Sequence, residues 1–184
     1  MSLLSSNGKP DGPVAVKAVI SLGSNTGERE RYVLSAASRI AASAGVVSAR
    51  LSALYETAPV GEGYSRPFVN AAMIIETTLA PRLLLELGQG LEREAGRARM
   101  EGTGDRTLDV DIILYGESAI DERDLTIPHP RFMNRLFVLI PLAGLDPGFN
   151  LPGGGTAAEA VKAEAAEGKV ERISFRGRIR RKSL

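Results

Sequence analysis

The chain of 184 residues contains no cysteine, no tryptophan and one histidine, His129. Without cysteine there is no disulfide framework, no thiolate metal site and no thiol nucleophile. A single imidazole excludes any metal centre that needs two. Aromatics are scarce, at five Phe and four Tyr. The longest stretch free of polar and charged residues is Leu136–Leu145, interrupted by Pro141 and Gly144. That is far short of the roughly 20 residues a membrane helix needs. No charged-then-apolar leader precedes it, so a cytoplasmic protein without a membrane partner is expected. No Gly-Lys-Ser or Gly-Lys-Thr occurs, so a Walker-type loop of backbone amides around phosphates is absent.

What is present describes one globular unit. Hydrophobic residues make up 43% and charged residues 24%, which excludes wholesale disorder. A chain of this size buries roughly 70% of its unfolded surface, enough for a core without staples. The net charge of +1 conceals an asymmetry: Arg176, Arg178, Arg180, Arg181 and Lys182 give the last nine residues a charge of +5. The remainder holds 18 basic against 22 acidic residues, so there is no chain-wide basic field for nucleic acid. Residues 1–13, rich in Ser, Gly and Pro, read as an N-terminal arm, 14–175 as the single domain and 176–184 as a solvated basic tail.

Periodicity supplies the elements. Val14–Leu22 reads as a strand ending at the turn-forming Gly23-Ser24-Asn25-Thr26-Gly27, and 28–44 as a helix closed by Gly45. Val46–Tyr55 and Phe68–Thr77 read as strands around a proline- and glycine-marked loop. Pro81 opens a second helix with Leu84, Leu87 and Leu91 on one face. Gly88 and Gly90 within it each cost about 1 kcal/mol relative to alanine, so the helix is weak there or something packs closely on its backbone. Residues 96–106 read as a charged flexible connection, Leu108–Tyr115 as the strongest strand, and Leu136–Leu145 as helical at first. Thr156 is placed to cap an alanine-rich helix ending near Gly168. The interleaving without strict βαβ alternation points to an α+β sandwich with a mostly antiparallel sheet.

The most informative segment is Arg106-Thr107-Leu108-Asp109-Val110-Asp111. On a strand, Asp109 and Asp111 face the same way about 6.6 Å apart, with Val110, Ile112 and Leu114 on the opposite, buried face. Asp is disfavoured in strands and two in register repel, so something must offset them. Two divalent cations shared with phosphate oxygens fit; so does a solvated face with arginine partners. Arg97, Arg99 and Arg106 stand just upstream, and arginine forks grip phosphate oxygens in pairs. His129 is pinned between Pro128 and Pro130, which fixes its backbone either as an ordinary half-buried residue or as a phosphate contact.

The sequence resembles the 6-hydroxymethyl-7,8-dihydropterin pyrophosphokinase family of folate biosynthesis. The matching blocks are Leu22–Asn25, Tyr55–Gly61, Phe68–Ala72, Gly96–Arg99, Arg106–Gly116, Pro128-His129 and Asn134–Phe137, in family order over roughly Val16 to Pro147. The resemblance implies a ferredoxin-like α/β sandwich that transfers the diphosphate of ATP to the hydroxymethyl group of the pterin, releasing AMP. It implies two magnesium ions on Asp109 and Asp111; no general base is evident, and Asp109 near the pterin hydroxyl is one candidate, a metal-lowered hydroxyl pKa the other. Arg97, Arg99, Arg106, Arg135 and His129 would contact phosphates, Arg97 and Arg99 also serving catalysis. Gln89, Glu92 and Ile112 would lie around the nucleotide. The pterin would stack between Phe68 and Phe137 and hydrogen-bond Asn70 and the backbone near Thr57 and Val60. No nucleic-acid partner is implied, and a monomer is expected.

One segment departs from the family. Met100–Asp105 is one residue shorter than the loop that closes over the site in better-studied members, and lacks its arginine and tryptophan. A working enzyme with a different lid is the reading; a catalytically weakened relative that binds pterin or nucleotide is the alternative.

Overall fold

The structure is a computed structural model, and it describes residues 13–58, 64, 66–96, 104–166 and 173–177. Its central strand β1 (Val16–Ser24) is buried from Ala18 onward. A strand buried on both faces reads as a near-continuous apolar run, which Ala18–Leu22 supplies apart from Ser21. After β1 come α1 (Arg29–Ala41), β2 (Val46–Leu51), β3 (Leu54–Thr57), β4 (Phe68–Thr77), α2 (Pro81–Glu94) and β5 (Asp109–Tyr115). The short strands β6 (Ile120–Glu122) and β7 (Leu125–Ile127) form a separate hairpin. A 3-10 turn (Phe132–Asn134), α3 (Leu136–Leu145), α4 (Ala157–Ala166) and β8 (Ile173–Gly177) complete the chain.

The main sheet runs β5-β1-β4-β3-β8, with β2 also on β4, and every pair is antiparallel. β1–α1–β3 and β4–α2–β5 are both split βαβ units, the arrangement of a ferredoxin-like sandwich. The predicted strand over 46–55 is two strands along one edge of β4. Ser52 breaks it: its backbone N–H donates to Ala72 O (2.9 Å) and its Oγ accepts from Ala72 N–H (3.0 Å).

Helices cover both faces. On one face Ile40 of α1 and Leu84 and Leu91 of α2 pack with Ala18, Ile20 and Leu22; on the other, Leu139 of α3 packs with Val19, Ala72, Ile74 and Ile113. Gly88 does not interrupt α2, because it is where the helix meets β5: a Cβ there would stand 3.0 Å from Val110 Cγ1. The apolar α3 stays helical throughout, with Pro141 inside it. α4 opens on a reciprocal cap, Thr156 N–H to Glu159 Oε2 (2.8 Å) and Glu159 N–H to Thr156 Oγ1 (3.3 Å).

One expectation is corrected. Leu114 does not share a face with Val110 and Ile112. The β1–β5 register pairs Ile20 with Ile112 but Val19 with Leu114, so Ile113 is an extra residue, a β-bulge. The bulge turns Leu114 to the α3 side, while Val110 and Ile112 stay under α2. The unpredicted β8 pairs with β3, and it carries regular backbone through Arg176 and Gly177.

Candidate functional site

On the α3 side of the sheet, the end carrying Ser21, Gly23, Asn70, Asp109 and Asp111 opens into a cavity of about 510 Å³. The register explains the grouping. Asp109 pairs with Gly23 and Asp111 with Ser21, while Gly23 pairs in turn with Asn70. Four strand positions of matching parity therefore project polar groups from one patch of sheet, and the two carboxylates share a face as the spacing requires.

Each carboxylate meets a guanidinium. Arg106 Nη1 donates to Asp109 Oδ2 at 2.8 Å, and Arg135 Nη1 stands 3.6 Å from Asp111 Oδ2. The pairing does not fill the space, since both aspartates and both arginines line the same cavity. Burial and then the Asp109 charge push Asp111 up to about 6, against the opposing pull of Arg135. Burial thus disfavours the charged form of Asp111, and the neighbouring Asp109 carboxylate adds to that.

His129 reaches the cavity through the bulge. Its backbone N–H donates to Ile113 O (2.9 Å), tying the Pro128-His129 segment to β5. Its Nδ1 accepts from Arg131 N–H (3.3 Å), and Nε2 lies 3.4 Å from Arg135 Nη1. Burial, Arg135 and Arg131 push the imidazole down to about 4, so it is neutral at pH 7.

Aromatic rings supply the apolar walls. Phe68 opens β4 and Phe137 sits in the first turn of α3; both line the cavity, with Arg135 over the Phe137 ring at 5.3 Å. Asn70 and Thr57 are buried and joined, Asn70 Nδ2 donating to Thr57 Oγ1 at 2.8 Å. Tyr64, which the sequence reading did not single out, lies edge-on to Phe68 (5.3 Å, 77°) and beneath Arg106 (5.8 Å). Only the position of Tyr64 in the proline- and glycine-marked loop before β4 hinted at it.

Of the sequence-predicted site residues, the cavity gathers Thr57, Phe68, Asn70, Arg106, Asp109, Asp111, His129, Arg135 and Phe137. It does not gather Gln89, Glu92 or Ile112. Ile112 is buried under α2, Gln89 is half-buried on α2, and Glu92 Oε1 accepts from Val110 N–H (2.9 Å) at the outer edge of β5. Val60, Arg97 and Arg99 lie outside the described residues. Among the described residues, no three His, Asp or Glu side chains assemble into a metal-binding cluster. No helix among them is long and apolar enough to cross a membrane.

Known proteins share this frame. The pattern of the family described as 7,8-dihydro-6-hydroxymethylpterin-pyrophosphokinase matches residues 19–147. The 2-amino-4-hydroxy-6-hydroxymethyldihydropteridine pyrophosphokinase of Bacillus subtilis is 46% identical over 126 residues, 68% of this chain and 75% of its own. That of Pseudomonas aeruginosa is 37% identical over 157 residues, 85% of this chain and 96% of its own. Among solved structures, wild-type Plasmodium falciparum HPPK-DHPS with SDX-DHP superposes with a TM-score of 0.67 at 14% identity, over 87% of this chain. That likeness is one of fold, and the chain spans about half the length of that protein. By its sequence pattern and its relatives, the chain belongs to the 7,8-dihydro-6-hydroxymethylpterin-pyrophosphokinase family.

Proposed function

We propose that the chain transfers the β,γ-diphosphate of ATP to the hydroxymethyl group of 6-hydroxymethyl-7,8-dihydropterin, releasing AMP, in folate biosynthesis. Family membership supports the activity. The observation that carries the residue assignment is the shared cavity in which Asp109, Asp111, Arg106 and Arg135 adjoin Phe68, Phe137 and Asn70.

The pterin lies between the Phe68 and Phe137 rings. A flat heterocycle gains about 0.5–1.5 kcal/mol per aromatic face beyond burial. The Asn70 carboxamide both donates and accepts, matching the mixed edge of a pterin, with the backbone at Thr57 and Val60 completing the set. The triphosphate lies across Arg106, Arg135 and His129, with Arg97 and Arg99 as further phosphate contacts. Neutral His129 contributes a hydrogen bond to phosphate rather than a charge. The nucleoside lies along the outer edge of β5, near Gln89, Glu92 and the main chain of Ile112.

Asp109 and Asp111 fit two magnesium ions as hard carboxylate donors that line one cavity from the same face of β5, where bound cations would relieve the repulsion that Asp109 adds to the burial of Asp111. Held by Asp109 and Asp111, magnesium would supply charge neutralisation for the triphosphate. The protein's own part is positioning: the hydroxymethyl oxygen is set in line with the β-phosphorus, and the arginines meet charge as it develops. The unit that does this is the single domain over 14–175 with the rest of β8, working in the cytoplasm as a monomer without nucleic acid.

The experiment is AMP release from protein, ATP, magnesium and hydroxymethyl-dihydropterin. AMP that requires both substrates and the metal is the expected result. Pterin binding without AMP would make the chain a catalytically weakened relative, a reading to which the shortened 100–105 segment lends its one argument.

A further inference from the structure

Asn25 stands beyond the end of β1 and is fully buried. Three of its polar groups are spent on two consecutive residues of the segment that leads into β5. Its Oδ1 accepts from Arg106 N–H (2.6 Å), its own backbone N–H donates to Arg106 O (3.0 Å), and its Nδ2 donates to Asp105 Oδ1 (2.7 Å). β5 and its ladder begin only at Asp109, so no sheet pairing holds Arg106. Asn25 takes the place of a strand partner there, engaging both the N–H and the C=O of Arg106. From that anchored backbone the guanidinium reaches Asp109 Oδ2 at 2.8 Å.

The position demands a carboxamide. One atom must accept from a backbone N–H while its neighbour donates to a carboxylate. Aspartate offers two acceptors and would bring a second negative oxygen against Asp105. Alanine offers neither contact. Glycine, the other residue that turn chemistry favours, would keep the turn and lose the anchor.

We infer that Asn25 is a positioning residue of the phosphoryl-transfer site, its carboxamide setting where Arg106 stands between Asp109 and the triphosphate. The inference rests on the reading of Arg106 as a phosphate ligand.

The test is a mutant cycle read in kcat/KM for magnesium-ATP, with melting temperature measured on each variant. Because Asn25 acts through Arg106, N25D lowers kcat/KM at least about tenfold, and N25D/R106A falls within about threefold of R106A alone. The pair is also rescued by exchange. In N25D/D105N the carboxylate now at position 25 accepts from Arg106 N–H and from the carboxamide now at position 105, so the rate lies within about threefold of D105N alone. A purely structural role would lower the melting temperature and leave the losses from N25D and R106A additive. Additive losses with R106A crippled would overturn the inference about Asn25 and leave Arg106 its role. R106A at the native rate would overturn the reading of Arg106 and the inference with it. A native rate in N25D would overturn the inference alone. If N25D does not fold, D105N and N25D/D105N decide: similar rates support the inference, and a further tenfold loss in the double variant overturns it.

Discussion

Gly23 and Asn70 oppose each other in the β1–β4 register, and the missing side chain at Gly23 is what admits the Asn70 carboxamide. A Cβ on Gly23 would stand 2.8 Å from Asn70 Oδ1, with Phe68 Cδ1 at 3.7 Å and Asp109 Cβ at 3.9 Å. Asn70 has nowhere to retreat, since it is buried and its Nδ2 is committed to Thr57 Oγ1. G23A therefore displaces the proposed pterin-reading group while leaving the arginines in place. Overpacking of this kind costs about 1–3 kcal/mol of stability. The functional effect is selective: the pterin Kd rises about tenfold or more, equivalent to about 1.4 kcal/mol, while the ATP Kd stays within about twofold. Calorimetric titration with each substrate separates the two, and equal weakening of both would refute the assignment of this end of the cavity to pterin.

The acidic pair carries a stability signature of its own. The folded-state pKa of Asp111 is raised to about 6 by burial and by Asp109. A raised carboxyl pKa means that its contribution to stability is full below the unfolded value near 4 and is lost as pH rises through 6. D111N removes the charge, so at pH 7.5 without metal the variant melts higher than the native chain. The difference shrinks as pH falls toward 4. Activity moves the other way and collapses, because the carboxylate is the proposed cation ligand. A D111N protein that melts no higher than the native chain at pH 7.5, with a difference that stays constant down to pH 4, would contradict the strain argued for the pair.

Much of this frame is legible in the residues themselves. β4 begins and ends where alternation and its flanking loop place it, and the shared face of Asp109 and Asp111 follows from strand geometry alone. What is not legible depends on partners far away in sequence. The bulge at Ile113 exists because β1 and the His129 backbone claim neighbouring residues of β5, so a simple period of two misplaces Leu114. The break at Ser52 is set by Ala72 across the sheet. β8 is five residues long and acquires its strand character from β3, and the three-residue strands of the β6–β7 hairpin are too short to show a period. Asn25 looks like a turn residue locally; its bonds to Asp105 and Arg106 span about 80 positions.

Thr107 lies between Arg106 and the buried Leu108, and its Oγ1 is buried without a hydrogen-bond partner among the described residues. A buried hydroxyl left unsatisfied costs about 1–3 kcal/mol, so its removal is not destabilising. T107V keeps the β-branched shape and loses the oxygen. Urea denaturation is expected to show a stability equal to the native chain or higher by up to about 1 kcal/mol, with kcat within about twofold. A stability loss beyond about 1 kcal/mol would show that the hydroxyl is bonded in solution.

His129 offers the most direct reading of the site's electrostatics, because it is the chain's one histidine and its imidazole proton signal needs no assignment. Burial, then Arg135 and Arg131, push its pKa down to about 4. In the free protein the NMR titration midpoint therefore lies near 4, well below the ordinary 6.5. A depressed histidine pKa supports the fold above 6.5, and that support is lost as pH falls from 6.5 toward 4, where the unfolded chain takes the proton first. R135A removes the larger of the two cationic causes and moves the midpoint upward; R131A moves it less. Binding of ATP brings negative charge beside the ring and also raises the midpoint, which places the triphosphate at this end of the cavity without measuring turnover. A free-protein midpoint near 6.5 that is indifferent to both arginines would refute the buried, cation-flanked setting. A depressed midpoint that ATP leaves unmoved would refute only the contact between His129 and phosphate.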